Sequence, residues 1–167
     1  MKPVLRFSLC AIPALLCMIL IFSLSSQTAV ESSETSESFI HEILTQVFPE
    51  FVEESLEVQK NRIETLQFFV RKTAHFSLYA LLSLLLLFAF LQLFTFYKAS
   101  FSSLLCSTLY AVSDEIHQSF IPGRSCELRD VFIDSLGAFT ALCFMILIYH
   151  VFCQYRKKRK NTPHSIV

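Results

Sequence analysis

The chain has 167 residues, of which 53% are hydrophobic and 17% charged, with 14 basic residues against 14 acidic ones. Soluble domains run nearer a quarter charged, and the apolar residues here come in long blocks rather than with a period of 2 or 3.6. This excludes an ordinary soluble enzyme or nucleic-acid binder, and with most residues in lipid the remainder is too short to bury a large core of its own.

Residues 7–30 contain no Asp, Glu, Lys or Arg and follow Lys2 and Arg6. Within them residues 7–24 read as a first span, close to the ~20 residues that cross a ~30 Å hydrocarbon layer as a helix. A cleaved signal peptide is the alternative, given the basic start and the small residues Ser25 and Ser26, but the apolar run is long for one. Residues 25–72 then carry nine Glu against Lys60, Arg62, Arg71 and Lys72. In this segment Phe39, Ile40, Ile43, Leu44, Val47 and Phe48 recur at helical spacing. Pro49 interrupts them, and Phe51, Val52, Leu56, Ile63, Leu66 and Val70 resume the stripe. The spacing predicts two amphipathic helices lying against the membrane surface. A second span, 73–97, has His75 as its only titratable group besides tyrosines. Lys98 reads as a very short turn into a third span, 99–121, apolar until Asp114, Glu115 and His117. A fourth, 131–152, is interrupted only by Asp134 and precedes a basic tail, 153–167.

A backbone in lipid must satisfy its own hydrogen bonds, and no alternating barrel pattern is present. The expected fold is therefore all-α: one domain, a four-helix transmembrane bundle with an amphipathic helical segment between its first two helices. Lys2, Arg6, Lys98 and the five basic residues at 156–160 belong on the cytoplasmic side by the positive-inside rule, which makes both termini cytoplasmic and the segment 25–72 extracytoplasmic. Four of the six cysteines fall in spans, Cys153 directly follows the fourth, and only Cys126 lies in an outer loop, so no disulfide framework is implied. Gly123 and Gly137 are the only glycines, which leaves no phosphate-binding loop.

This topology gathers the membrane-embedded polar residues at one depth. Arg71, Lys72 and His75 open the second span, Asp114, Glu115, His117 and Gln118 close the third, and Asp130 and Asp134 open the fourth. Helical spacing puts Arg71, His75 and Tyr79 on one face, Asp114 with His117 and Gln118 on a second, and Asp130 with Asp134 on a third. An ionised side chain facing lipid costs ~2.5–3.5 kcal/mol even on lenient scales, so the three stripes must face one another. The inference is an outward-opening pocket lined by both signs of charge. Simpler roles compete: Arg71 and Lys72 anchor a helix end at headgroups, Asp130 stabilises a helix N-terminus, and Tyr79 and Gln118 serve as packing or hydrogen-bonding residues. His41, His150 and His164 have no such company.

At these residues the chain resembles the VanZ-like family. The resemblance lies in FSLSSQ at 22–27 with Ser32 and Ser36, in RKTAHFSLYALL at 71–82, and in YAVSDEIHQSFIPGRSCELRDVFIDSLGA at 110–138. It touches all four spans, while the acidic stretch 38–66 is less typical. It implies a small integral protein of the bacterial cytoplasmic membrane, in a family whose namesake is associated with teicoplanin resistance.

Two mechanisms suit the pocket. One is recognition of an amphiphilic envelope molecule, a lipid-linked cell-wall precursor or a lipoglycopeptide, with Arg71, Lys72 and Arg124 on its phosphate or carboxylate groups, and Tyr79, Gln118 and Asp130 as further contacts. The other is catalysis on such a lipid, with His75 and His117 as acid and base, Asp114 or Glu115 orienting an imidazole, and Asp130 or Asp134 completing the site. A proton-coupled transporter fits less well, because spans two and three offer no polar path to the cytoplasm. No cofactor motif is present. The two histidines and several carboxylates leave a divalent metal open, though without a compact HExxH-type motif.

Overall fold

A computed structural model describes residues 2–161; the end of the basic tail, with His164, and the side chains of Pro49, Glu53, Lys160 and Asn161 lie outside the described residues. Among the described residues the chain is all-α, with five α-helices and no strand: α1 Pro3–Ser25, α2 Ala29–Val47, a 3₁₀ turn Pro49–Glu53, α3 Leu56–Phe90, α4 Phe96–Gln118 and α5 Leu128–Asn161. Three of them, α1, α3 and α5, are long and apolar enough to cross a membrane.

The α2 start is a capping box: Thr28 Oγ1 accepts from Glu31 N at 3.3 Å, and Glu31 Oε2 accepts from Thr28 N at 2.8 Å. Ile40 and Leu44, one turn apart on α2, bury against Phe51 of the 3₁₀ turn and Ile63 of α3. The second amphipathic helix of the sequence reading is continuous with the second span, because neither glycine nor proline occurs between residues 56 and 90 to end it. At ~1.5 Å per residue the 35 residues of α3 reach ~52 Å, longer than a ~30 Å hydrocarbon layer is thick. The turn to α4 lies at 91–95, ahead of Lys98 where the sequence reading put it; Thr95 is the α4 N-cap.

Helix α3 is central, packing against α1, α4 and α5. Small residues set these contacts. A Cβ on Gly137 of α5 would stand 2.2 Å from the Phe76 carbonyl oxygen of α3, so only glycine permits this approach. Ser103 of α4 bonds to the Ser83 carbonyl of α3, and Ser83 Oγ donates to the Ala138 carbonyl of α5 at 3.3 Å. Helix α4 buries Ser100, Ser103 and Ser107 inward and exposes Phe101, Leu105, Leu109 and Ile116 outward, the reverse of a soluble helix. Those serines, with Asp114 and Glu115, keep α4 out of the set of long apolar helices.

Candidate functional site

Four helix segments and one loop meet where α1 ends and α5 begins. The loop owes its shape to Gly123, whose φ of +77° favours glycine and whose added Cβ would lie 2.9 Å from Ala29 Cβ. Ala29 N donates to the Pro122 carbonyl at 3.3 Å, tying the loop to the start of α2. This turn directs Arg124 inward, where Nη1 donates to Gln118 Oε1 at 3.1 Å and Nη2 to the Leu24 carbonyl at 3.5 Å. Burial first, and then the neighbouring charge of Arg71, hold the Arg124 guanidinium below its ordinary value.

Beneath the loop Asp114, Glu115 and Gln118 of α4 and Asp134 of α5 are buried. Asp114 Oδ2 accepts from Ser25 Oγ at 2.8 Å and from Gln118 Nε2 at 3.1 Å. His75 Nδ1 stands 3.6 Å from Asp134 Oδ2, an ion-pair distance too long for a hydrogen bond. His75, Asp114 and Asp134 thus converge, each offering a ligand atom within 4.8 Å of the others. Tyr79 lies one turn along α3 from His75, fully buried, with no hydrogen-bond partner for its hydroxyl. Asp114 Oδ1 and Asp134 Oδ2 are likewise unsatisfied. A buried acceptor left without a partner costs ~1–3 kcal/mol.

The remaining candidates take other places. Glu115 Oε2 accepts from the backbone N–H of Glu127 at 2.9 Å, at the entry to α5, which gives this carboxylate a structural partner. His117 lies 3.2 Å from Ser26 Oγ and stacks on Phe22 with ring centroids 4.4 Å apart, so it faces α1 and stands outside the His75, Asp114 and Asp134 group. Lys72 pairs with Asp130, and Arg129 Nε approaches Asp130 Oδ1 at 3.7 Å. Arg71 forms no ion pair among the described residues. Ser25 and Ser26 were not among the sequence candidates, although two serines and a glutamine closing an otherwise apolar helix are an available signal.

Two cavities adjoin here. A polar one of about 260 Å³ is lined by Arg71, Lys72, His75, Arg124, Arg129 and Asp130. An apolar one of about 230 Å³ is walled by Ile21, Leu24, Phe39, Val70 and Leu78, and shares Arg71, His75 and Arg124 with the first.

Apolar spanning helices, small residues at their contacts and a buried acid and histidine cluster at one end define a small α-helical membrane protein with a polar site. Its sequence agrees with that class in detail. The chain belongs to the VanZ/LLP1 family, whose model matches residues 10–152. No curated protein and no solved structure gives a significant match.

Proposed function

We propose that α1, α3, α4 and α5 all cross the bacterial cytoplasmic membrane, with both termini cytoplasmic, and that the polar cavity opens outward to recognise an amphiphilic cell-envelope molecule, a lipid-linked precursor or a lipoglycopeptide. One observation carries this reading. Arg71 and Arg124 line both the polar and the apolar cavity, and neither forms an ion pair with a carboxylate among the described residues. Two guanidiniums at the seam of a polar chamber and an oily groove suit an anionic headgroup with its chain alongside. The guanidinium fork matches phosphate or carboxylate oxygens in pairs. The outward apolar face of α4 supports its place in lipid. Holding such a molecule away from an antibiotic, or from its processing enzymes, is how the protein would contribute to glycopeptide resistance.

The test is lipid mass spectrometry of the purified full chain. The expected result is an acidic amphiphile enriched over bulk phospholipid and lost in Arg71→Ala and Arg124→Ala; a lipid content equal to that of the surrounding membrane would refute the reading. Cys126, exposed in the same loop, tests the topology. A membrane-impermeant maleimide should label it in intact cells when the other five cysteines are replaced, and labelling only after lysis would reverse the orientation.

A second reading, hydrolysis or group transfer on the same lipid, is favoured by the pairing of His75 with Asp134, an arrangement suited to orienting an imidazole as acid or base. Product release abolished by both His75→Ala and Asp134→Asn would favour it over recognition alone.

A further inference from the structure

The cluster below the cavity has a charge arrangement that lipid recognition does not use. Asp114 is 3% and Asp134 1% exposed, and each has an oxygen without a hydrogen-bond partner. The hydrogen-bond donors on Asp114, Ser25 and Gln118, are both neutral. Lys72 is engaged by Asp130, and Arg124 by Gln118 and the Leu24 carbonyl. His75 is thus the one basic side chain in ion-pair contact with either buried carboxylate among the described residues. Two buried carboxylates and an imidazole, with acceptor oxygens to spare, are a donor set for a divalent cation of the first transition row. Two ligands on opposite sides of such a cation, each at ~2.1 Å, stand ~4.2 Å apart. The three groups lie within 4.8 Å of one another, so small rotations of their side chains close them onto an ion.

We infer that His75, Asp114 and Asp134 form a binding site for one divalent transition-metal cation at the floor of the polar cavity. The cation neutralises the two carboxylates and supplies the partners that Asp114 Oδ1 and Asp134 Oδ2 lack. Ser25 and Gln118 then act behind the ligands, fixing the orientation of Asp114. His75 lines the cavity, which provides the route of entry from its polar side. The site does not depend on which amphiphile, if any, the cavity receives.

Detergent-solubilised full-length protein, stripped with chelator, is titrated with cobalt(II) and followed by equilibrium dialysis and visible absorption. Uptake of one cobalt per chain is expected, with d–d bands of nitrogen and oxygen coordination and without the strong near-ultraviolet thiolate band that binding at cysteines would give. Asp114→Asn and Asp134→Asn should each weaken uptake by more than ~100-fold, a larger loss than the 10–100-fold typical of residues behind the ligands. His150→Ala, a histidine outside this group, should bind as the parent does. Absence of uptake by the parent chain, a thiolate-dominated spectrum, or uptake unchanged in all three ligand variants, His75→Gln included, would overturn the site. The parent titration keeps the question decidable even if an aspartate variant fails to fold. Lipid content measured on the same samples separates loss of the metal site from loss of amphiphile binding.

Discussion

Where α1 finishes and α5 begins, Asp114, Glu115, Gln118 and Asp134 are all buried, with unsatisfied oxygens on three of them. At the start of α4 and well along α5, Tyr97 Oη meets His150 Nε2 at 3.0 Å in the open, beside Phe96 stacked on Tyr149 with centroids 4.0 Å apart. Both ends contain titratable side chains and aromatic rings. Only the first removes its carboxylates from solvent, and a buried polar group without a partner is destabilising wherever it occurs. Titratable side chains buried together at one end, when the same chain leaves them open at the other, mark the first as the candidate site.

The contrast can be tested by substitution. Gly137→Leu should do the greatest damage, at least ~3 kcal/mol of thermal stability in detergent, because the added atoms meet the Phe76 backbone rather than a yielding side chain. Arg124→Ala should weaken retention of an acidic amphiphile by ~1.5–3 kcal/mol, about ten- to a hundredfold, while a melting curve shifts less. Ser25→Ala leaves Asp114 Oδ2 with Gln118 alone and should lower stability by ~1 kcal/mol. His150→Ala, at the open end, should change stability by less than ~0.5 kcal/mol; a loss as large as that of Ser25→Ala would erase the distinction between the two ends.

The smallest effect concerns pH. The Thr28 backbone N–H, and then its hydroxyl, hold the Glu31 carboxyl below its ordinary value. A carboxyl lowered in the folded state stabilises that state above the ordinary carboxylate range, and the contribution disappears as pH falls through the lowered value. Intrinsic-rate-corrected amide exchange in the first turn of α2 should therefore rise on acidification in the parent and stay level in Glu31→Gln.

Much of this was legible in the residues. Blocks free of charge announced the helices, and spacing placed Asp114 with Gln118, and His75 with Tyr79, on shared faces. What spacing within a helix does not carry is which face meets which across the chain. Ser25 reaches Asp114 from 89 residues away, and His117 is drawn to Ser26 and Phe22, because the rotation of each helix about its axis is set by close contacts such as Gly137 on Phe76. The extent of α3 was missed for a different reason. Change of environment from water to lipid looked like a boundary, but Arg71 and Lys72 are good helix formers and carry the helix through it.

The contact of Gly137 with Phe76 has a mechanical consequence. A rigid tilt of α5 about the point where the two backbones touch would displace each of its residues in proportion to its distance from that point. Asp134 lies three residues from it, a lever arm of ~4.5 Å, and His75 is the immediate neighbour of Phe76. His150 lies thirteen residues away, an arm of ~20 Å. A tilt of ~10° carries His150 through more than ~3 Å yet moves Asp134 by less than ~1 Å. His75 and Asp134 are thus mounted where such a tilt moves them least, while the far end of α5 is held to α4 by the Tyr97–His150 hydrogen bond and the stack of Tyr149 on Phe96.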